Sequence, residues 1–385
     1  MKRSREMPWK EETLMSLRAE FIRLAELKEI SFSQLCREYG ISRKTGYKWH
    51  NRYREGGLEA LQDQSRRPNR SPRRTPPDME NLILQTRGEF PAWGGRKIKA
   101  YLERKGHPNI PVPSTITEIL KRFDQIDPEE TQKHKAFQSF EMEYPNQLWQ
   151  MDFKGYFSLG EGGDCHPLTI LDDHSRYLIG LKACPNEPRK TVQGHLCEVF
   201  SHFGLPERML MDNGSPWGYD GEHSFTGLTA WLMRLGVKVT HGRPYHPQTQ
   251  GKDERLHRTL NTELLTRTPM INLEQCQTAF DQWRDIYNAQ RPHEALQMAT
   301  PQDCYRPSLQ PFPEVLPPPV YPPGHIIRKV DKNGKIYFKN QQFRVGKAFR
   351  NQVVGLFPID VEDNIFHVFF CDEIIAKIDL RDCKC

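Results

Sequence analysis

The spacing of hydrophobic residues changes twice along this chain of 385 residues, and no single regular fold accommodates all three patterns. Up to about residue 123, apolar residues recur every three or four positions, which predicts amphipathic helices. From about residue 146, short β-rich runs alternate with helical stretches, a pattern typical of an α/β sheet. After residue 323 the sequence predicts short strands only. We therefore expect a multidomain protein, which the length also favours.

Two stretches without apolar periodicity separate these patterns. Residues 311–323, PFPEVLPPPVYPP, hold seven prolines and predict a stiff polyproline spacer. Residues 124–145 are polar and mixed in charge, which predicts a linker. The predicted segments are a helix-turn-helix domain at 1–64, a basic arginine-rich linker at 65–76, a second helix-turn-helix-like domain at 77–123, a linker at 124–145, an α/β core at 146–308, a proline-rich linker at 309–323, and a small all-β (SH3-like) barrel at 324–385.

The composition excludes two classes of protein. Hydrophobic residues make up 37% of the chain, and no apolar stretch approaches the roughly 20 residues that span a bilayer, which excludes a membrane protein. The N-terminus, MKRSREMPWKEE, lacks the apolar core of a secretory signal peptide. The nine cysteines are an odd number at scattered positions, which excludes a secreted disulfide scaffold. We expect a cytoplasmic protein with reduced cysteines.

Positive charge is concentrated at the N-terminus. Residues 1–76 hold 18 Lys and Arg against 10 Asp and Glu, a net charge of +8, whereas the whole chain has +6. A basic module on a nearly neutral body predicts that the N-terminal part binds a polyanion, and nucleic acid is the first candidate.

The N-terminal helices have helix-turn-helix spacing. Ser33 is expected to cap a short second helix that ends at Gly40, and Ser42 to cap a third helix. In that motif the helix after the turn enters the DNA major groove, and here Trp49 is expected to face the core. A plain three-helix bundle with a solvated charged face is the alternative. The DNA-contact candidates on the third helix are Arg43, Lys44, Lys48 and Arg52.

The next stretch, SRRPNRSPRR, cannot fold alone but suits an extended arm along phosphates or a minor groove. An ordinary basic linker is the alternative. Further on, Ser114 is expected to cap the last helix of a second helix-turn-helix, although Gly95 could equally open a purely structural helix. The arginines assigned to the arm are Arg66, Arg67, Arg70, Arg73 and Arg74.

Three acidic residues of the α/β segment are candidate metal ligands. Asp152 lies in the first predicted strand, and Asp212 ends a later strand, where Asn213-Gly214 turns the chain. Glu254 lies early in a helix, after a loop rich in Pro, Gln and Gly. Carboxylates are the ligands that Mg²⁺ and Mn²⁺ favour, and two such ions can drive phosphodiester displacement.

The string YHPQTQGKDE, residues 245–254, resembles the catalytic loop and helix of retroviral integrases. Together with WQMDFKG, LDDHSRY, DNGSPW and RPHEALQMATPQDCY, it makes nearly the whole chain resemble bacterial insertion-sequence DDE transposases. The resemblance implies an RNase H-like core whose catalytic residues and metal ligands are Asp152, Asp212 and Glu254, with two Mg²⁺ (or Mn²⁺) ions per site. It also implies that Gln250 lies near the site and contacts DNA.

The chain departs from that pattern on the catalytic helix. Members often carry Lys or Arg seven residues after the Glu, where this chain has Asn261. We expect Arg258, one turn after Glu254, to contact phosphate instead. The resemblance further implies that Asp173 supports the site without binding metal, while Asp172 or Asp173 as a direct ligand stays an alternative.

A zinc site near the C-terminus is a further alternative. His367, Cys371, Cys383 and Cys385 could supply ligands, but strand alternation and the terminal position explain these residues equally well.

The expected function is DNA transposition. The resemblance implies binding of double-stranded transposon ends, cleavage to free a 3′-OH, and strand transfer into target DNA by a homodimer or higher oligomer, associated with the nucleoid when bound to DNA. The alternatives are a domesticated DNA-binding regulator and a metal-dependent nuclease that stops after hydrolysis.

Overall fold

The computed structural model describes residues 14–63, 74–126, 141–212, 214, 217, 225–241, 251–360 and 365–381. The chain divides into two compact units, residues 1–74 and 75–385. The finer domain boundaries stay predictions. Several residues singled out above lie outside the described residues: Arg66, Arg67, Arg70, Arg73, Asn213, Gln250, Cys383 and Cys385.

The first unit is a bundle of three helices followed by a short 3₁₀ turn. The prediction that Ser33 caps the second helix is wrong, because Ser31 has the extended backbone of a cap and its hydroxyl accepts from the Gln34 N–H at 3.3 Å. The cap at Ser42 is confirmed by its acceptance from the Thr45 N–H at 3.1 Å. The elements are α1 (Leu14–Leu27), α2 (Phe32–Glu38), α3 (Arg43–Gly56) and the turn Leu58–Leu61.

A close crossing of α2 and α3 gives this unit its helix-turn-helix geometry. A Cβ on Gly46 would lie 2.6 Å from the Cys36 sulfur, so only glycine fits at that position. Trp49 is 9% exposed and packs in the same core as Leu35, which confirms that it faces inward.

The second unit begins with three more helices around their own core, which includes Ile83, Trp93 and Ile116. The prediction that Ser114 caps the last of them is wrong. Val112 occupies the cap position without a side-chain hydrogen bond, and the helix opens on Pro113, whose missing N–H needs no partner there. The elements are α4 (Pro77–Glu89), α5 (Gly95–Arg104) and α6 (Pro113–Arg122).

The six-stranded sheet of the core has the order expected of an RNase H-like fold. The strands are β1 (Trp149–Phe153), β2 (Phe157–Ser158), β3 (Asp164–Asp172), β4 (Leu178–Cys184), β5 (Arg208–Met211) and β6 (Lys238–His241). β1 lies between β3, its antiparallel partner, and β5, its parallel partner, while β6 extends the parallel side. β2 and β4 both pair with β3 in antiparallel fashion.

Helices cover both faces of this sheet. Val192, Phe200 and Leu232 of two helices pack on Trp149 and Met151 of β1 in one core, and Leu256, Phe280 and Trp283 of two others pack on Leu171 and Leu178 in a second core. No helix within the described ranges is both long and apolar enough to cross a bilayer. The helices are α7 (Arg189–Phe203), α8 (Gly227–Arg234), α9 (Gly251–Leu260) with a π-helical extension (Asn261–Leu265), α10 (Leu273–Ala289) and α11 (Pro301–Cys304).

The C-terminal part is all-β, as predicted, and consists of a four-stranded sheet and a hairpin around one core. Gly334, in the turn between the first two of these strands, has a backbone φ of +79°, and a Cβ there would collide with Gly346, so glycine is required. The strands are β7 (Ile326–Lys329), β8 (Lys335–Phe338), β9 (Gln341–Arg344), β10 (Val353–Asp360), β11 (Ile365–Phe370) and β12 (Glu373–Asp379).

Candidate active site

Two of the predicted acids lie at the same edge of the sheet. Asp152 is the fourth residue of the central strand β1, and Asp212 directly follows β5. Because β1 and β5 are parallel neighbours, their carboxyl ends meet at one edge, where an α/β sheet commonly binds ligands.

The Asp152 carboxyl is buried close to the other two predicted acids. Burial raises the pKa of the Asp152 carboxyl to about 7, and the charges of Asp212, Glu187 and Glu254 add to that effect against a hydrogen bond from the Phe153 N–H. The carboxylate of Asp152 is therefore costly to ionise unless a cation compensates it.

The loop after β5 holds the Asp212 carboxylate in place. Its Oδ1 accepts from the Gly214 N–H at 2.9 Å and from the indole N–H of Trp217. Trp217 is buried and stacks on Phe153, with ring centroids 5.3 Å apart. A Cβ on Gly214 would lie 3.0 Å from Asp212 Oδ2, so the glycine leaves space beside the second oxygen.

Helix α9 carries two consecutive acids with opposite environments. Glu254 is exposed, whereas Asp253 is 1% exposed and its Oδ1 has no hydrogen-bond partner among the described residues. Burial, followed by the charges of Asp152 and Asp173, raises the pKa of the Asp253 carboxyl well above its usual range. The helix therefore turns Asp253 toward the sheet and leaves Glu254 open to solvent.

Asp173, predicted to support the site, forms a buried ion pair with α9. Its Oδ2 lies 2.6 Å from Lys252 Nζ, and the two side chains are 0% and 9% exposed. Its Oδ1 accepts from Gln150 Nε2 at 2.6 Å, and Oδ2 also accepts from the Met142 N–H at 3.0 Å. Protein donors thus occupy both oxygens of Asp173, and this favours a supporting role.

A second chain of hydrogen bonds connects α9 to the sheet. The Thr169 hydroxyl donates to the Asp152 carbonyl at 3.0 Å and lies 2.8 Å from His257 Nε2. Because the hydroxyl proton is already used, His257 Nε2 carries a proton and donates to Thr169. Burial lowers the pKa of His257 to about 4, so its ring is neutral.

Asp172 belongs to the turn after β3. Its Oδ1 accepts from the Asn146 N–H at 2.7 Å, and its Oδ2 accepts from the N–H and the hydroxyl of Ser175 at 2.8 and 2.6 Å. These contacts fix the turn and favour a structural role for Asp172.

Asp152 and Asp212 have features of a site for a hard divalent cation. Burial and neighbouring charges raise the pKa of Asp152, Gly214 leaves space beside Asp212, and carboxylate oxygens are the preferred donors for Mg²⁺. Among the described residues, which include Asp152, Asp212 and Glu254, no three Asp, Glu, His or Cys side chains converge closely enough to hold a metal ion. Residues 242–250, which immediately precede the helix of Glu254, are outside the described ranges.

The DNA-contact candidates occupy several surfaces. Arg43, Lys44 and Lys48 are exposed on α3, and the guanidinium carbon of Arg52 lies 5.0 Å from the centre of the Trp49 ring. The other described candidates, Arg74 on the first unit and Arg258 on α9, are exposed, as is Asn261 at the start of the π-helical extension.

The alternative zinc site gains no support from the part that is described. His367 lies in β11 opposite Phe357 and Lys377, and Cys371 follows β11 in the turn before β12. Neither belongs to a group of metal-ligating side chains within the described ranges.

Sequence reasoning missed several residues around the acids: Gln150, Thr169, Trp217, Lys252, Asp253 and His257. The alternation of β1 could have indicated Gln150, because it lies two residues before Asp152 on the same strand face. Helical spacing could have indicated Asp253, which shares the buried face of α9 with Leu256 and Leu260. The others depend on contacts between distant segments.

Five sequence families match parts of the chain. Integrase core domains match residues 143–247 and 235–301, and the C-terminal domain of IS481 family transposases matches residues 325–384. A helix-turn-helix domain matches residues 17–69, and a homeodomain-like domain matches residues 45–120. The chain is therefore similar to integrases over its α/β core and to IS481 family transposases over its C-terminal part. The integrase core thus contains Asp152 and Asp212 in one matched region and Glu254 in the other.

Curated relatives of the integrase core are retroviral polyproteins. The Gag-Pro-Pol polyprotein of simian retrovirus SRV-2 is 36% identical over 120 residues, 31% of this chain, and that of Mason-Pfizer monkey virus is 34% identical over 121 residues. The chain spans about 6% of the length of these relatives.

Solved structures similar to the chain include integrases. The simian T-cell lymphotropic virus intasome in complex with PP2A regulatory subunit B56 gamma aligns with 78% of this chain and 96% of its own at 16% identity and a TM-score of 0.38. The HTLV-2 integrase catalytic core in complex with magnesium aligns with 43% of this chain and 99% of its own at 15% identity and a TM-score of 0.33.

Proposed function

We propose that the protein is a DNA transposase that cleaves transposon ends and joins them to target DNA with Asp152, Asp212 and Glu254 as catalytic residues. The observation that carries this proposal is the meeting of Asp152 and Asp212 at the carboxyl edge of parallel strands, where burial, with the charges of Asp212 and Glu254, raises the pKa of Asp152. Matches to integrase cores and to the IS481 transposase C-terminal domain support it.

The reaction has two displacements at phosphorus. Water first attacks a phosphodiester at the transposon end, the P–O3′ bond breaks, and the end keeps a free 3′-OH. That hydroxyl then attacks a target phosphodiester, so that a new P–O3′ bond forms while the target strand leaves with its own 3′-OH. Hydrolysis converts one phosphodiester into the free 3′-OH and a 5′-phosphate on the flanking strand, whereas strand transfer exchanges one phosphodiester for another. Neither step needs a covalent protein intermediate.

The carboxylates of Asp152, Asp212 and Glu254 would hold two Mg²⁺ or Mn²⁺ ions. When bound, such ions lower the pKa of the attacking hydroxyl and neutralise charge on the leaving oxygen. The chain's own contribution is placement: Gly214 and Trp217 orient the Asp212 carboxylate, and β1 fixes Asp152. Arg258 and Gln250 are proposed to contact the DNA near the site.

DNA recognition is proposed to lie in the helix-turn-helix units. Arg43, Lys44, Lys48 and Arg52 of α3 would read transposon ends, and the arginines from Arg66 to Arg74 would follow the phosphate backbone. We further propose a homodimer or higher oligomer on DNA and a cytoplasmic, nucleoid-associated location.

Strand transfer with synthetic DNA tests the proposal. Ends taken from the DNA that flanks the coding region, one set intact and one already nicked to expose the 3′-OH, are incubated with a labelled target plasmid and Mg²⁺. Joined products from both sets are expected. Cleavage of the intact ends without joining of the nicked ends would identify a nuclease, and specific binding without either reaction would identify a regulator.

A further inference from the structure

Two buried contacts fasten α9 to the sheet on either side of Glu254. Lys252 precedes Glu254 by two residues and pairs with Asp173 at 2.6 Å. His257 follows Glu254 by three residues and contacts the Thr169 hydroxyl at 2.8 Å. Glu254 itself is exposed.

Both contacts continue to the strand that carries Asp152. Asp173 accepts from the amide of Gln150 at 2.6 Å, and Gln150 shares a face of β1 with Asp152 because the two are separated by one residue. Thr169 donates to the carbonyl of Asp152 itself at 3.0 Å and lies opposite it in the register of β1 and β3.

We propose that these contacts form a two-point clamp, consisting of Lys252–Asp173–Gln150 and His257–Thr169–Asp152, which sets the position of Glu254 relative to Asp152. Lys252, Thr169 and His257 are then positioning residues for the metal-binding carboxylates, an inference that rests on the proposed function. The side chains that make these contacts are mostly buried, and those of Thr169 and Asp173 are 0% exposed.

The chemistry of the clamp explains its residue types. A helix that presents one acid outward needs anchors on its inward face. His257 lies on that face of α9 with Leu256 and Leu260, and Lys252 lies beside it with a side chain that is 9% exposed. An apolar contact would hold the helix against the sheet but would allow it to shift along its axis. A hydrogen bond or a buried ion pair fixes both the distance between the donor and acceptor atoms and their relative direction.

The test uses Thr169, because an isosteric change there removes only the hydroxyl. Thr169→Val removes the hydroxyl that contacts His257 Nε2 and donates to the Asp152 carbonyl, while Thr169→Ser keeps it. The matched control is Thr86→Val in α4, since Thr86 is also buried and its hydroxyl donates to a backbone carbonyl at 2.8 Å. A second pair of variants, Lys252→Met and Asp173→Asn, addresses the other half of the clamp singly and together.

Two quantities are measured on the full chain. The first is the rate of strand transfer from nicked ends as a function of Mg²⁺ concentration, and the second is Mn²⁺ affinity by electron paramagnetic resonance. For Thr169→Val we expect about a 10- to 100-fold loss in metal affinity and in rate at low Mg²⁺, with partial recovery at high Mg²⁺. DNA affinity is expected to stay unchanged, Thr169→Ser to resemble the wild type, and the Lys252→Met/Asp173→Asn double variant to lose less than the sum of the singles.

The outcomes separate the clamp from the proposed function. If Thr169→Val behaves like the wild type, or if Thr86→Val loses metal affinity to the same extent, the clamp is overturned. A wild-type chain that binds Mn²⁺ but joins no strands contradicts the proposed function alone, and the Mn²⁺ affinities still decide on the clamp. A wild-type chain that does neither overturns both.

Discussion

The indole N–H of Trp217 donates to Oδ1 of Asp212. The same ring stacks on Phe153 of β1, so it links the two strands that carry the candidate carboxylates. We expect Trp217→Phe to keep the stacking but to release the carboxylate, with about a 10-fold loss of strand transfer that higher Mg²⁺ partly restores. Titration of the rate with Mg²⁺ checks this, and Trp231→Phe, which alters a tryptophan stacked on Phe200 in the same core, is the control.

Replacing any one of Asp152, Asp212 or Glu254 with Ala is expected to abolish cleavage and strand transfer while DNA binding is retained. The reason is that the carboxylates and the proposed DNA-binding helices lie in different parts of the chain. Asp173→Ala is expected to reduce activity less than these three, because its oxygens are held by protein donors. Cleavage assays and gel shifts on the same preparations check this, and substantial Mg²⁺-dependent cleavage by Glu254→Ala would contradict the assignment.

Asp253→Asn is expected to stabilise the metal-free protein by about 1–3 kcal/mol, since it replaces a buried carboxylate whose Oδ1 has no partner among the described residues. The pKa of Asp253 is raised in the folded state, so the wild type loses stability as pH rises above the unfolded pKa of about 3.9. The gain should therefore grow with pH. Urea unfolding in EDTA at several pH values measures it, with Asp285→Asn on the exposed face of α10 as the control that should change little.

His293 is expected to make the protein acid-sensitive. Burial and the charges of Arg291, Lys97 and Arg176 lower the pKa of His293 well below its usual range, against a hydrogen bond to the Tyr287 carbonyl. Below about pH 6.5 the imidazole binds a proton in the unfolded chain but stays neutral in the folded chain. The free energy of unfolding therefore decreases by up to about 1.4 kcal/mol for each pH unit of acidification. His293→Asn should flatten this dependence in thermal unfolding, whereas the exposed His202→Asn should not.

Mutations in α3 and in the arginine-rich stretch should affect DNA binding differently. Arg43→Ala or Lys44→Ala is expected to reduce the preference for end DNA by about 1–3 kcal/mol if the side chain reads a base, because residues at the start of such a helix face base edges. Neutralising Arg66, Arg67, Arg70, Arg73 and Arg74 together should weaken binding to all DNA and flatten its salt dependence. Gel shifts of the full chain at several salt concentrations decide between them, with Arg54→Ala in the last turn of α3 as the control.

Most of the architecture was predictable because it follows from local patterns. The apolar spacing of α1 and the alternation of β-rich runs and helices after residue 146 led to the observed elements, and the helix-turn-helix and integrase-core predictions are confirmed by the family matches. The errors at Ser33 and Ser114 have a common cause, since several Ser and Pro residues compete for each helix start and only the backbone conformation decides among them.

The surroundings of the site were less predictable. Lys252 and Asp173 are 79 residues apart in sequence. Helical and strand periods connect only residues that are a few positions apart, so neither period could have indicated this pair. Asp253 was overlooked because an acid beside a recognised catalytic Glu is easily taken for a solvated residue, although its position on the Leu256 face of α9 indicates burial. Pairings of this kind depend on the register of β1 against β3, which sequence periodicity alone does not supply.

Helix α8 belongs to two hydrophobic cores at once. Its Leu228 and Leu232 pack in the RNase H-like core, while Ala230 and Met233 pack with Phe349, which lies in a short 3₁₀ helix of the C-terminal part. Arg234, its last residue, donates to the carbonyls of Leu316 and Pro317 in the proline-rich stretch at 3.1 and 2.7 Å. The RNase H-like core and the C-terminal strands therefore both depend on packing against α8, so loss of this helix would destabilise both. We expect the two to unfold as a single cooperative unit and not as independent modules joined by a spacer.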